Sequence, residues 1–378
     1  MKDRSVEFSQ SSNTGPYENV AVIGAGAWGT ALASVLVRAG RNVTLWARRP
    51  ELAEEINSTR RNQRYLPDIP LPERLRAVSD MREAMAGAEA VLIVTPSTSI
   101  REISEQAHAL AAPEVPLFIC AKGVEKGTHL LMSGIAEDAA PGRVIGVISG
   151  PTFAVEVAAD APTAVTIASN EPEWDKDIER HAAARMALSM GTYSFRPYVS
   201  NDMVGVEIGG AVKNVIAIAC GILEGAGFGM NARAALITRG LSEIKELAVA
   251  MGGTRETVTG LAGMGDLMLT CSSTKSRNFS YGKQRGSGIA HDAVFDGKPV
   301  VVEGHGNALT VTDLARALGV FMPICEMTRS ILHDDVPIGH AFAEYWASPL
   351  QAEPRALDIE IAHPAAEAAF THYGSELP

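Results

Sequence analysis

The sequence predicts an α/β N-terminal domain with a mostly parallel, doubly wound sheet, followed by an all-α C-terminal domain. Two observations carry this. Up to about residue 200, short apolar runs alternate with amphipathic stretches, and the runs are apolar along most of their length rather than at every second residue. Strands of that kind are covered on both faces, as in a parallel sheet flanked by helices. Beyond about residue 204, strand-like runs become rare and long helical patterns take over.

Residues 1–18 are polar and Ser-rich, with no apolar stretch of the kind a secretory signal needs, and read as a disordered tail. The strands then follow in order as NVAVIG (19–24), NVTLW (42–46), AVLIVTP (90–96), PLFICAKG (116–123) and RVIGVISGP (143–151). Between them, WGTALASVLVRAG reads as a helix stopped at Gly40, and MREAMAGAEA as a second. AVTIAS (164–169), a helical stretch with Trp174 and His181, and YSFRPY (193–198) extend the sheet. In the second half, NARAALITRGLSEIKELAVAMGG (231–253) reads as a long helix stopped by Gly252 and Gly253. TVTDLARALGV and ICEMTRSILHDD are further helices. Residues after about 340 lack clear periodicity, are broken by Pro349, Pro354 and Pro364, and read as an appended tail. The expected division is a tail at 1–18, a nucleotide-binding domain at 19–205, a helical substrate domain at 206–340 and a tail at 341–378.

With 378 residues, the chain is long enough for two domains and a large core. A net charge of -11 argues against a nucleic-acid partner or a membrane surface. It leaves room for an anionic small molecule, since positive charge can be concentrated in a cleft. The four cysteines lie far apart with no C-x-x-C pair, and no His, Asp or Glu group has ligand spacing. This pattern suits reduced thiols in a cytoplasmic protein and no metal site. The apolar run at 208–223 is too short and Gly-rich for a membrane span.

The strongest local motif is VIGAGAWGTALA, where Gly24, Gly26 and Gly29 occupy the G-x-G-x-x-G positions between the first strand and a helix. The first glycine allows a tight turn, the second lets a pyrophosphate approach the backbone, and the third lets the helix pack closely. The helix N-terminus offers amide donors and partial positive charge. This points to a dinucleotide; a flavin or a nucleotide sensor is the alternative. Where an NAD-specific site carries an acid at the end of the second strand, this chain has Ala47-Arg48-Arg49. Arg48 and Arg49 can hold a 2′-phosphate, which points to NADP, or they are ordinary solvated charges.

In IGGAVKNVIAIACGIL (208–223), Lys213 is the one charged residue. An ammonium in such a segment is paired, hydrogen-bonded or lowered in pKa, all of which suit proton transfer to an oxygen. Otherwise its stem packs and its head reaches the surface. CAKGVE places Lys122 just beyond a strand, and ISGPTFA places Gly150 and Thr152 beyond another. Asp266 lies in LAGMGDLMLTC, as a site carboxylate or as a helix cap. Ser276, Arg277 and Asn278 form a cluster suited to phosphate, or a polar capped loop. Glu303 lies in VVEG. Two lysines, an aspartate and an Arg–Asn pair beside a nicotinamide suit hydride transfer to a small phosphorylated carbonyl compound.

In order along residues 19–335, GAGAWGTALA, CAKGVE, VISGPTFAVEVA, IGGAVKNVIAIACGILEGAGFGMNARAALITRGLSE, GMGDLMLTCSSTKSRN and VVEG closely resemble bacterial NAD(P)-dependent glycerol-3-phosphate dehydrogenase. The resemblance implies an N-terminal Rossmann domain, a helical C-terminal domain and an active site in the cleft between them. It implies that Lys213 is the proton donor and acceptor. Lys122, Gly150, Thr152, Lys213, Asp266, Ser276, Arg277 and Asn278 would contact the substrate. Ala27, Trp28, Arg48, Lys122, Ala154, Arg277 and Glu303 would join the loop glycines around NAD or NADP. It further implies a cytoplasmic enzyme that supplies the glycerol phosphate backbone of phospholipids. Apolar stretches on the helical domain suggest a homodimer. The chain departs from the family in VEGHGNALTV after Glu303, in the long polar extension before Asn19 and in the tail after 340. A hydroxy-acid dehydrogenase of the same two-domain build, and a non-catalytic NAD(P) redox sensor, are the alternatives.

Overall fold

The structure, a computed structural model, describes residues 14–172, 176–352 and 359–376. Its first half is an eight-stranded sheet. The strands are β1 (Asn19–Ile23), β2 (Asn42–Trp46), β3 (Arg76–Val78), β4 (Ala90–Ile93), β5 (Leu117–Ile119), β6 (Ile145–Ser149), β7 (Thr163–Ser169) and β8 (Phe195–Ser200). They lie in the order β3-β2-β1-β4-β5-β6-β7-β8. Every pair is parallel except β6 with β7. The strand order reverses between β1 and β4, so a crevice opens above their carboxyl ends. β4, β5 and β6 are buried along their whole length, as strands covered on both faces must be.

The covering helices are α1 (Ala27–Arg38), α2 (Pro50–Thr59), α3 (Met81–Met85), α4 (Ile100–Leu110), α5 (Met132–Ala139), α6 (Ala154–Ala158) and α7 (Ala182–Met190). α1 ends as its sequence predicts, with Gly40 at φ +89° just beyond the cap. β3, with three residues, is not among the strands the sequence predicts, because so short a run has no visible period. The helix expected around Trp174 begins instead at Ala182; Trp174 lies outside the described residues.

The second half is built around α8 (Met203–Gly225), buried from Gly205 to Leu223. Its length and apolarity would allow it to cross a membrane, yet its apolar stretch is buried inside the protein. A helix apolar on every face is a core helix. Around it lie α9 (Met230–Ala250), α10 (Arg255–Thr259), α11 (Asp266–Cys271), α12 (Arg277–Gly286), α13 (Glu303–Ala317) and α14 (Pro323–His333). Glycines set how close they come. A Cβ on Gly221 would lie 2.2 Å from the Phe279 carbonyl oxygen, and one on Gly282 2.1 Å from that of Ile218. α8 and α12 therefore touch backbone to backbone. Across the seam between the halves, Glu207 of α8 accepts a hydrogen bond from the Ser133 N–H at the start of α5, at 2.8 Å. Burial raises the Glu207 carboxyl to about 7, against the pull of its Ser133 hydrogen bonds.

Both chain ends carry more structure than their composition suggested. Tyr17, within the expected N-terminal tail, is buried. Its N–H donates to Ser189 Oγ at 2.7 Å, and the Arg185 guanidinium lies 4.0 Å from its ring centre. Residues 1–13 lie outside the described residues. Within the expected C-terminal tail, α15 (Ile338–Trp346), the short antiparallel pair β9 (Leu350–Gln351) and β10 (Glu360–Ile361), and α16 (Ala366–Glu376) pack onto the helical half. Phe342 meets Phe228 at 4.5 Å and Tyr373 at 5.0 Å between ring centres. The prolines hid a periodicity carried by a few aromatic residues.

Replacing Gly282 by Ala puts a methyl group against the Ile218 carbonyl. Gly282→Ala is expected to destabilise the protein by about 1–3 kcal/mol. A thermal melt should show a midpoint lower by several degrees; an unchanged midpoint would mean the two helices have room to part.

Candidate active site

Two ammonium groups, one from each half of the chain, meet at one carboxylate. Lys122 follows β5 in the sheet half, and Lys213 lies on α8. Asp266 is the first residue of α11, directly after a π-helical turn at Leu261–Gly265. Such wide turns re-aim side chains and recur at functional sites. The Lys122 Nζ donates to Asp266 Oδ2 at 2.6 Å, and the Lys213 Nζ donates to Asp266 Oδ1. Lys213 also donates to Thr270 Oγ1 at 2.9 Å, whose hydroxyl donates to the Asp266 carbonyl at 2.6 Å. Asp266 is 1% exposed and Lys213 7%, so the ammonium does not reach water in the way a surface lysine does.

Burial works against every charge in this group. It lowers Lys213 to about 8, with Asp266 pulling the other way and Lys122 adding repulsion. Lys122 is also opposed by burial, but the charge of Asp266 and its hydrogen bond outweigh this and raise it. Burial pushes Asp266 up, and the two lysines hold it below the usual carboxylate range. The group thus contains one firmly charged lysine and one whose proton is exchangeable near neutral pH, the property required of a general acid–base. Gly210 makes room for it. A Cβ there would meet Lys122 Cδ at 3.1 Å and Ser149 Oγ at 3.2 Å.

A chain of amides ties the next shell to Lys213's neighbour, Asn214. The Asn278 Nδ2 donates to Asn214 Oδ1 at 2.9 Å, and the Asn214 Nδ2 donates to Glu303 Oε2 at 3.1 Å. The Gly304 N–H donates to Asn278 Oδ1 at 2.9 Å. The starts of α12 and α13 are thereby pinned to α8. Ser276 caps α12, accepting from the Phe279 N–H at 3.2 Å. Arg277, the first residue of α12, is exposed and has no hydrogen bond or ion pair among the described residues. A free guanidinium at a helix N-terminus suits an oxyanion. Asn278 is placed differently from a simple ligand contact: its carbonyl and one N–H are already engaged, leaving one N–H.

Gly150 packs against β7, where a Cβ would lie 2.9 Å from Val165 Cα. Its role here is close approach of chain segments. Thr152 Oγ1 lies 3.4 Å from the Gly150 carbonyl oxygen, and Ala154 opens α6. Ala27, Trp28 and Ala154 are half-buried and each packs against the sheet half's core. Thr270, Asn214 and Ser149 were not singled out from sequence. The signal for Thr270 is its position four residues after Asp266, one helical turn.

The glycine loop fits a dinucleotide. Gly24 has φ +121°, and a Cβ there would lie 2.6 Å from the Val94 carbonyl oxygen. A Cβ on Gly29 would lie 1.8 Å from that of Gly24, so the helix closes on the turn. At Gly26 nothing lies within 4 Å of the same position, and no side chain caps α1 there. The loop is therefore packed behind and open in front. Thr95 Oγ1, just past β4 on the other side of the crevice, is buried without a partner among the described residues. Arg48 is exposed and unpaired among the described residues; Arg49 precedes α2 and makes no side-chain cap.

Two sequence families match the chain. That of the NAD-dependent glycerol-3-phosphate dehydrogenase N-terminus matches residues 19–175, and that of the C-terminus residues 202–343. A glycerol-3-phosphate dehydrogenase [NAD(P)+] of Rhodospirillum rubrum is 48% identical over 89% of this chain and 94% of its own length. The same enzyme of Parvibaculum lavamentivorans is 47% identical over 89% and 98%. The crystal structure of glycerol-3-phosphate dehydrogenase from Coxiella burnetii is 39% identical, with a TM-score of 0.79 over 87% of this chain and 98% of that one. A D-mandelate dehydrogenase (13% identical, TM-score 0.55) and a ketopantoate reductase (16%, 0.51) share the fold alone.

The lysine pair makes a direct prediction. By NMR of lysine side chains, Lys213 should titrate near 8, and Asp266→Asn should lower that midpoint further, since the carboxylate is what opposes burial. A Lys213 midpoint near the ordinary 10.4 would show that the amine is solvated.

Proposed function

The chain belongs to the NAD-dependent glycerol-3-phosphate dehydrogenase family, and on that premise we propose how its residues transfer a proton during reversible conversion of sn-glycerol 3-phosphate and NAD(P)+ to dihydroxyacetone phosphate and NAD(P)H. It is an NAD(P)-dependent oxidoreductase. The residues of the glycine loop, with Ala27, Trp28, Arg48 and Ala154, would hold the cofactor, which supplies or accepts a hydride at its nicotinamide when bound. The single observation that carries the reading is the buried Lys213 ammonium sharing Asp266 with Lys122.

In the reducing direction, negative charge develops on the substrate's carbonyl oxygen. Lys213 donates its proton there, and Lys122, which stays charged, stabilises the oxygen electrostatically. Asp266 orients both amines and keeps Lys213 from losing its proton too early. In the oxidising direction, neutral Lys213 takes the hydroxyl proton. Arg277 at the start of α12 binds the phosphate, with Ser276 shaping the helix end and the free N–H of Asn278 assisting. The Gly150–Thr152 turn and Glu303 border the cleft from either side. This positioning supplies much of the rate in such a reaction. The protein would act in the cytoplasm, supplying the glycerol phosphate backbone of phospholipids, as a homodimer.

The reading is tested by following NADH and NADPH oxidation with dihydroxyacetone phosphate. Turnover of unphosphorylated keto acids in its place would instead favour a hydroxy-acid dehydrogenase, and tight nucleotide binding without any turnover a sensor. Lys213→Ala should slow turnover by about two to four orders of magnitude and abolish the fall in reducing rate expected as the pH passes about 8. Near-normal turnover in the folded variant would remove Lys213 from this role. Arg277→Ala should raise KM for dihydroxyacetone phosphate far more than KM for NAD(P)H; an unchanged substrate KM would count against the phosphate assignment.

A further inference from the structure

Asn62 lies in the connection after α2, far in sequence from the glycine loop, and is 0% exposed. Its Nδ2 donates to the Ala25 carbonyl oxygen at 3.0 Å and to Thr30 Oγ1 at 2.9 Å. Ala25 is the residue between the first two loop glycines, and Thr30 lies in the first turns of α1. Asn62 thus grips both sides of the turn from beneath. Its own backbone is anchored: its carbonyl accepts from the Tyr65 and Leu66 N–H groups at 3.2 and 2.8 Å, and Leu66 is buried in the core.

The grip fixes a peptide plane. In a trans peptide the Ala25 carbonyl and the Gly26 N–H point in opposite directions. A carbonyl held by a wholly buried amide faces the interior, so the Gly26 N–H faces the open side, where nothing crowds Gly26. Glycine on one side of that plane would let it rotate if nothing held it. The amide orientation follows from chemistry, since a carbonyl only accepts and the NH₂ must face it. This leaves Asn62 Oδ1 buried with no partner among the described residues, an arrangement unfavourable for folding and tolerated at sites where geometry matters more.

We propose that Asn62 is a positioning residue for the cofactor: by holding the Ala25 carbonyl inward, it presets the Gly26 amide to donate to the dinucleotide's pyrophosphate. The inference rests on the reading that this crevice binds NAD(P)(H). Because the pyrophosphate is common to NADH and NADPH, the effect is blind to the 2′-phosphate, unlike any effect of Arg48.

The test is NADH and NADPH titration by fluorescence on wild type, Asn62→Ala and Asn62→Asp, with melting midpoints and steady-state kinetics alongside. Asn62→Ala should weaken both cofactors about three- to tenfold. Asn62→Asp, equal in size but unable to donate, should weaken them more. At saturating cofactor, kcat and the KM for dihydroxyacetone phosphate should stay within about twofold, a split that general loosening of the fold does not produce. Wild-type cofactor affinity in either folded variant overturns the proposal. Should neither variant fold, hydrogen exchange on the wild type decides: the Gly26 amide should exchange freely in the free protein and become protected on adding NADH. Protection already present without NADH overturns it. Wild type that binds NADH yet turns over no dihydroxyacetone phosphate counts against the reaction and leaves Asn62 standing.

Discussion

The carboxylate of Asp266 is the constraint on which the site depends. Two ammonium groups, one from each half of the chain, are bound to its two oxygens in a place almost closed to water. Remove the carboxylate and holding both amines charged without solvent becomes strongly unfavourable. With it, the environment separates their behaviour. Lys122 keeps its proton and Lys213 holds its own loosely. One pair of identical residue types can therefore provide both a fixed charge and a mobile proton.

That arrangement is supported by close backbone contacts as well as by side-chain packing. α8 brings Lys213 to the carboxylate and Gly210 to the stem of Lys122, and its glycines let α12 lie directly on it. α12 in turn presents Arg277, and the amide chain through Asn214 and Asn278 draws in the start of α13 with Glu303. A substitution at one of these glycines would shift several functional groups together, since Lys213, Asn214, Arg277, Asn278 and Glu303 all sit on packed helices.

Much of this was readable from residues alone, and the limits have physical causes. The bounds of β2 are legible in NVTLW, because a short apolar run between turn residues has few other interpretations. The glycine loop and Lys213 stood out for a related reason: each is an exception to the local rule, a bare backbone at a helix start and a charge in an apolar helix. β3 is too short to show a period, and α15 and α16 carry their packing on scattered aromatic residues. Thr270, Asn214 and Asn62 are ordinary polar residues by composition. Their importance arises from partners 57, 64 and 32 or more positions away, which no local pattern encodes, although the four-residue step from Asp266 marks Thr270 as its neighbour on one helix face. Asn278 was legible as a site residue, while its engagement with Asn214 and Gly304 was not.

The chain as a whole carries a net charge of -11, yet the groups around this cleft (Lys122, Lys213 and Arg277 against Asp266 and Glu303) leave a positive surplus. A doubly charged anion approaching from bulk solvent meets repulsion first and attraction only at short range. Dissolved salt screens the outer repulsion and the exposed Arg277 but hardly the two lysines, because exposed charges feel mobile ions and enclosed ones scarcely do. Capture of such a ligand by this protein therefore tolerates ionic strength in a way that a broadly basic surface does not.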